Sequence, residues 1–108
     1  MLAKFFRKKE IIPEVLYAIK YKLPDNVEVE IKEEKDGNYF AKIKSLPGCI
    51  TQARNPLELF EMVNDAIYTY FDVPEQYQPY LKMYIPSEEV RQKYGMKLPE
   101  GEYLLQPA

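Results

Sequence analysis

The sequence predicts a small α/β domain of the α+β kind, in which a three- to four-stranded antiparallel sheet is covered by one main helix. Residues 27–46 alternate apolar and polar side chains around an Asp36-Gly37 turn, which is typical of a β-hairpin with one solvated face. Residues 56–71 repeat apolar side chains at three- and four-residue spacing, which is typical of an amphipathic helix. Residues 49–54 form a short polar strand between them, so the expected order is β-β-β-α.

The residues that precede the hairpin are predicted to add a short helix. Leu16, Ile19 and Leu23 share one helical face, and prolines bound the segment at both ends. The stretch LYAIKYKL within it is also compatible with a strand. Residues 1–10 contain the basic, aromatic stretch KFFRKKE, which we expect to be a frayed arm or an edge element.

The hairpin strands are expected at residues 27–34 and 39–46. Their core-facing positions are Val27, Val29 and Ile31 in the first strand and Tyr39, Ala41 and Ile43 in the second. The polar positions carry glutamates in the first strand and lysines in the second. If the register aligns these charges, the cross-strand pairs add a few tenths of a kcal/mol (~0.2–1 each) to the stability of the sheet.

The main helix begins with a strong N-terminal signal. Asn55 is a natural N-cap, Pro56 suits the first helical position, and Glu58 falls where a capping box places its carboxylate. Asn64 and Asp65 are expected on the exposed side. The apolar face is predicted to consist of Leu59, Phe60, Val63, Ile67, Tyr70 and Phe71.

After Pro74 the chain is rich in proline and tyrosine, which predicts an extended tail anchored by its aromatic rings and not a second domain. A short helix is plausible between a Ser87 cap and a Gly95 stop. Residues 102–106 are able to return and pair with the sheet edge. The predicted organisation is therefore an N-terminal extension at 1–26, a central domain at 27–85 and a C-terminal tail at 86–108.

Composition excludes several classes of function. The chain has 108 residues, a formal net charge of −2 and no histidine, so whole-protein binding to phosphates and histidine-based hydrolysis are not expected. A single cysteine forms no internal disulfide and suits a reducing compartment. No apolar run approaches the ~20 residues of a membrane span and no secretory signal is visible, so we expect a cytoplasmic protein. We also expect neither a cofactor nor a metal, since the chain lacks histidine, the commonest metal ligand.

Cys49 lies in a Leu-Pro-Gly-Cys turn, where a catalytic and a structural interpretation compete. A reactive thiolate needs a nearby cation or helix N-terminus together with a base, and the sequence places none beside Cys49. We therefore expect Cys49 to be a buried structural residue. Pro47 and Gly48 predict a type II turn, in which the glycine takes a positive φ angle; an anion site on its amides is the weaker alternative.

The acidic residues and the N-terminal cations leave two further interpretations open. Clustered carboxylates hold magnesium in ribonuclease-H-like nucleases, but Glu28 and Glu30 alternate with apolar residues and so predict a solvated strand face. We expect such a face to serve solubility or charge complementarity with a basic partner. The stretch KFFRKK combines cations with stacking rings, which would suit RNA, although the rest of the chain is acidic.

The ordered combination of DGNYFAKIKSLPGCITQA and NPLELFEMVNDAI resembles the N-terminal domain of HicB-like antitoxins, over residues 27–85. The resemblance lies in the order in which these motifs follow one another. The features that carry the resemblance are Asp36-Gly37, Tyr39, Leu46-Pro47-Gly48-Cys49, Thr51, Glu58, Asn64 and Ala66.

This resemblance implies a degraded ribonuclease-H-like fold without catalytic acids, and a protein that is not an enzyme. It further implies an antitoxin that binds a small basic HicA-like toxin, an mRNA interferase of double-stranded-RNA-binding fold, and covers its catalytic histidine. Members tend to self-associate, so a homodimer or higher homo-oligomer is expected. Many members carry a DNA-binding element at the C-terminus. Residues 86–108 show none, so direct DNA binding is not expected, and we expect a solitary or truncated member.

The partner interface is predicted from charge and aromatic content. The candidate residues are Glu28, Glu30, Glu58, Glu61, Asp65, Tyr77, Tyr80 and Tyr84. Two alternatives from other classes are a solitary homo-oligomer that binds a ligand or scaffolds another molecule, and a metal-dependent nuclease. Binding to a toxin would favour the antitoxin over the solitary homo-oligomer. Metal-dependent cleavage of nucleic acid would favour the nuclease over the antitoxin.

Overall fold

The computed structural model describes residues 10–95 and 97–108, and the basic stretch predicted as an N-terminal arm lies mostly outside them. The described residues form one five-stranded antiparallel sheet with three α-helices and one 3-10 helix. In chain order these are α1 (Pro13–Lys22), β1 (Val27–Glu33), β2 (Tyr39–Ile43), β3 (Ile50–Ala53), α2 (Pro56–Tyr70), the 3-10 helix (Glu75–Tyr80), β4 (Tyr84–Pro86), α3 (Glu88–Tyr94) and β5 (Gly101–Pro107). The strand order is β3-β2-β1-β5-β4, which confirms the α+β fold class.

The predicted hairpin forms β1 and β2. Gly37 has φ 87°, and its N–H donates to the Glu34 carbonyl at 2.9 Å, so the turn needs a residue that tolerates a left-handed conformation. The register places Glu30 opposite Lys42, as the charge pattern requires. Val29 and Ile43, which face each other, are both buried.

Helix α2 packs on the face of the sheet that carries these apolar residues. The Asn55 side chain accepts a hydrogen bond from the Glu58 N–H at 2.9 Å, which satisfies one of the free amides at the start of the helix. Leu59, Val63 and Ile67 are fully buried against the sheet. Burial of side chains of this size contributes about 1.5–3 kcal/mol each.

The C-terminal segment is part of the sheet, which therefore has five strands where the sequence predicts three or four. Strand β5 lies between β1 and β4, so the sheet continues across residue 86, the predicted start of the tail. The high proline content of this segment is the reason why its sequence predicts an extended tail. Pro86 occupies the edge strand and Pro107 the end of β5, two positions where a missing N–H costs little.

Tyrosine hydroxyls connect the residues that flank α1 to the rest of the molecule, and one closes a local contact in the C-terminal segment. Tyr84 donates to the Pro24 carbonyl, and Tyr103 donates to the Pro99 carbonyl at 2.7 Å. Tyr77 accepts a hydrogen bond from the Ile12 N–H at 3.2 Å. This contact holds α1 on a second apolar cluster, which consists of Ile19, Tyr68, Val73 and Tyr77.

Asn64 lies in the core, and the expectation that it is exposed is wrong. It is 3% exposed, and its side chain forms two hydrogen bonds with the backbone of Tyr84. The Tyr84 N–H donates to Asn64 Oδ1 at 2.5 Å, and Asn64 Nδ2 donates to the Tyr84 carbonyl at 2.8 Å. Tyr68 donates to the Lys82 carbonyl at 3.0 Å on the same strand edge. Side chains of α2 thus take the place of a sixth strand beside β4.

Replacement of Asn64 by alanine should lower the free energy of unfolding by about 3 kcal/mol, because it leaves a buried N–H and a buried carbonyl without partners. Urea unfolding followed by circular dichroism measures the change. Asp65→Ala, at the exposed neighbouring position, is the matched control and should stay within about 0.5 kcal/mol of the parent protein. Equal effects of the two substitutions would contradict the role assigned to Asn64.

Stability should fall between pH 10 and pH 12 because burial, followed by the nearby Tyr68 and Asp25, raises the pKa of Tyr84 from 10.0 to about 12. In that range the unfolded chain loses the Tyr84 proton and the folded chain keeps it. The unfolded state then binds fewer protons, so the free energy of unfolding decreases by up to about 1.4 kcal/mol per pH unit.

Tyr84→Phe is the control for this pH dependence, since burial also raises the pKa values of Tyr39, Tyr68 and Tyr103. The stability difference between the parent protein and Tyr84→Phe, measured by urea unfolding at each pH, should shrink from pH 10 to pH 12. A difference that stays constant over that interval would show that Tyr84 does not retain its proton in the folded state.

Candidate protein-interaction surface

The predicted acidic interface residues lie on two separate faces of the protein. Glu28 and Glu30 alternate with the buried residues of β1, so they project from the open face of the sheet, away from α2. Glu61 and Asp65 are exposed on the solvent side of α2. The core separates the two sets, and they do not form one contact surface.

The open face of the sheet has nearly balanced charges. Lys44 Nζ lies 2.5 Å from Glu102 Oε1, and this hydrogen bond, with the charge of Glu102, raises the pKa of Lys44. Lys32 Nζ lies 3.7 Å from Glu30 Oε1. Lysines of β1 and β2 thus offset the glutamates of β1 and β5, so this face has little attraction for a basic partner.

Two of the three predicted interface tyrosines are buried. Tyr84 and Tyr77 are covered by the core, where their hydroxyls form the contacts with Pro24 and Ile12 described above. Their assignment to the interface is therefore wrong, because buried rings are not available to a partner. Tyr80, at the end of the 3-10 helix, is 56% exposed and stays a candidate.

The Leu-Pro-Gly-Cys segment forms a tight turn next to the sheet. The Cys49 N–H donates to the Leu46 carbonyl at 3.0 Å, and Gly48 has φ 80°, as a type II turn requires. The Cys49 side chain is buried, and burial raises the pKa of its thiol. A thiol in this state is a poor nucleophile, so Pro47, Gly48 and Cys49 have a structural role.

Within the described residues, the negative charge of Glu58 is partly offset by Arg54, unlike the charges of Glu61 and Asp65 on the same helix. Its N–H completes the Asn55 cap, and its carboxylate lies 3.2 Å from the guanidinium of Arg54. Glu61 and Asp65 have no ion pair with any residue in the described ranges. The exposed negative charge of α2 therefore lies in its middle turns.

An apolar groove of about 560 Å³ lies between the first turns of α2, strand β4 and the end of α3. Leu57 is 59% exposed on its α2 side, and Met83 is 44% exposed on its β4 side. Single exposed apolar residues are common, but a concave group of them from three elements indicates a binding surface. The apolar side chains that line the groove are Pro56, Leu57, Phe60, Met83, Ile85, Pro86 and Leu98.

An acidic groove of about 580 Å³ adjoins the apolar one, between α2 and the 3-10 helix. Glu61, Asp65 and Glu75 line it, and no lysine or arginine does so among the described residues. Glu61 and Met83 belong to both grooves, which therefore form one continuous surface. We call this combination the α2–β4 surface.

The α2–β4 surface has the composition of a protein interface, with an apolar centre beside a charged margin. Its three carboxylates outnumber its one described cation, Arg91 of the apolar groove, and suit lysine and arginine side chains of a partner, whereas the apolar groove suits large side chains. Within residues 10–95 and 97–108, no group of three potential metal-ligating side chains lies close enough to hold an ion. Among the same residues, no helix is long and apolar enough to span a membrane.

Sequence reasoning found part of this surface. It identified Glu61 and Asp65 from their place on the helix, but it missed Met83, Ile85 and Glu75. These residues belong to a segment that was predicted to be an extended tail. The pairing of β4 with β5 and its attachment to Asn64 bring them to α2, and no local pattern signals either contact.

Comparison with known proteins gives one partial similarity. The chain is similar to a UPF0150 protein of Archaeoglobus fulgidus, with 47% identity over 45 residues. Those residues are 42% of this chain and 65% of the relative, so the match spans slightly less than two thirds of the relative's length. No family model matches the chain, and no solved structure matches it. The similarity to the UPF0150 protein covers part of each chain.

Proposed function

We propose that this protein is a HicB-like antitoxin that binds a small basic mRNA-interferase toxin through the α2–β4 surface. It acts by covering the RNA-binding or catalytic face of that partner, in the cytoplasm, and not by catalysis. The geometric observation that carries the proposal is the continuity of the acidic groove with the apolar groove.

The partial relative supports the class of function. UPF0150 proteins are a HicB-like family, which is the family that the sequence features described above resemble. The resemblance supplies the nature of the partner, a basic RNA-binding protein. An acidic surface is what such a partner requires, because the charges that attract RNA also attract carboxylates.

The two grooves contribute to binding in different ways. Glu61, Asp65 and Glu75 raise the association rate with a basic protein and favour one orientation of it. The apolar groove buries side chains of the partner and slows dissociation. The partner's basic face would thus be masked by occupancy, which needs no catalytic group on this chain.

The chain has few groups suited to catalysis. It contains no histidine, and its one cysteine is buried with a raised pKa. A protein that acts by occupancy has no requirement for such groups. We therefore propose a non-enzymatic role, in agreement with the resemblance.

A solitary homo-oligomer is the second candidate function. It is favoured by the surface of α1, where Tyr17 and Tyr21 lie four residues apart on one helical face and Tyr21 is 93% exposed. Tyrosine contributes large contact areas at low entropic cost. Light scattering of the purified chain gives its oligomeric state, and recovery of the chain alone from its native lysate would favour this candidate.

Charge reversal on α2 should weaken binding to the toxin. The double variant Glu61→Lys/Asp65→Lys should lose at least about tenfold in affinity for the small basic protein that co-purifies with the parent chain, and the loss should shrink as salt is raised. Co-purification with the tagged full-length chain, followed by titration calorimetry at two salt concentrations, measures both effects.

Glu28→Lys/Glu30→Lys is the matched control, because it makes the same charge change on the open face of the sheet. It should leave the affinity within about threefold of the parent value, a difference of about 0.6 kcal/mol. A larger effect of the control than of the α2 variant would contradict the assigned surface. Failure of the purified chain to inhibit the partner's ribonuclease activity would contradict the antitoxin role.

A further inference from the structure

The N-terminal segment, residues 1–9, has a composition complementary to the α2–β4 surface. Its sequence, MLAKFFRKK, carries Lys4, Arg7, Lys8 and Lys9 and contains no acidic residue. Phe5 and Phe6 lie between the cations. The segment is outside the described residues, and the function proposed above gives it no role.

The first described residues pack on an apolar cluster that shares Tyr68 with the acidic groove. Ile11 packs on the second apolar cluster, which includes Tyr68, and the Ile12 N–H donates to the Tyr77 hydroxyl at 3.2 Å. Tyr68 also lines the acidic groove. Tyr77 belongs to the same 3-10 helix as Glu75, which supplies one of the carboxylates of the groove. The segment therefore joins the described chain beside this groove.

The length of the segment is sufficient for it to reach the surface of its own subunit. An extended chain covers about 3.3–3.6 Å per residue, so residues 1–9 span up to about 30 Å. The path begins at Ile11, which packs on a cluster that shares Tyr68 with the acidic groove, so this length is enough for the cations to extend toward Glu75 and Asp65.

The groove offers uncompensated charge to this segment. Glu61, Asp65 and Glu75 have no ion pair with any residue between 10 and 95 or between 97 and 108. Met83, which is shared by the two grooves, and Leu57 present apolar surface next to these carboxylates. Cations that flank a pair of phenylalanines match this arrangement of acids beside apolar side chains.

We propose that residues 1–9 bind the α2–β4 surface of their own subunit, with the cations against the carboxylates and the phenylalanines against the apolar side chains. The segment then occupies the surface assigned to the basic partner and has to be displaced when the partner binds. This competition rests on the proposed function, whereas the contact itself is tested on the protein alone. The segment is thus an autoinhibitory element that mimics the partner.

Zero-length carbodiimide cross-linking of the full-length chain, with mass spectrometry, tests the contact. Lys8 and Lys9 should cross-link to Asp65, Glu75 or Glu61 at least fivefold more than to Glu28, Glu30 or Glu102 on the open face. An equal mixture of unlabelled and nitrogen-15 chains identifies links within one chain. An even distribution of links over both faces, or links mainly between labelled and unlabelled chains, would overturn the proposal.

The variant Phe5→Ser/Phe6→Ser separates specific docking from simple charge attraction. Its cations are unchanged, and the substitutions lie outside the described fold, so a loss of links reports the role of the rings. We expect the yield of links to the groove to fall at least threefold. An unchanged yield would overturn the placement of the phenylalanines.

The outcome is distinguishable from failure of the proposed function. Links to the groove in a chain that binds no toxin would leave this contact standing and contradict the antitoxin role. Toxin binding through the α2–β4 surface, without links from the segment to the groove, would overturn the autoinhibitory contact alone.

Discussion

The side chain of Asn64 is the constraint on which the rest of this structure depends. It forms hydrogen bonds with both the N–H and the carbonyl of Tyr84, so it fixes the position of β4 relative to α2. The same bonds satisfy backbone groups at the edge of the sheet. With β4 held there, Met83 and Ile85 line a groove together with Leu57. A buried amide that satisfies backbone groups thus creates the surface to which we assign the function.

The sequence predicts the local elements well and the long-range ones poorly. The hairpin and α2 follow from alternation, a glycine turn and an Asn55 cap, which are encoded within a few residues. Strand β5 has a single fully buried side chain, Leu105, so its pattern carries little information. The polarity of Asn64 predicts an exposed position. Its hydrogen-bond partner, Tyr84, is 20 residues away in sequence, so no local pattern indicates that Asn64 is buried.

In the candidate site too, local features follow from the sequence, whereas long-range contacts do not. Glu61 and Asp65 can be placed on the helix surface from spacing alone, but the charge balance of the open face depends on which lysines come to lie beside Glu30 and Glu102. Tyrosine content predicts an interface, yet Tyr77 and Tyr84 serve the core because their hydroxyls find backbone partners there. Composition therefore predicts an interface, but the sheet topology decides which of these side chains reach the surface.

Carboxyl footprinting of the chain with and without its basic partner tests the central claim most directly. Carbodiimide with an amine label modifies exposed carboxylates, and peptide mass spectrometry gives the extent at each. The account predicts that the partner reduces labelling of Glu61, Asp65 and Glu75 and leaves Glu28 and Glu30 unchanged. Protection of Glu28 and Glu30, with Glu61 and Asp65 still labelled, would contradict it.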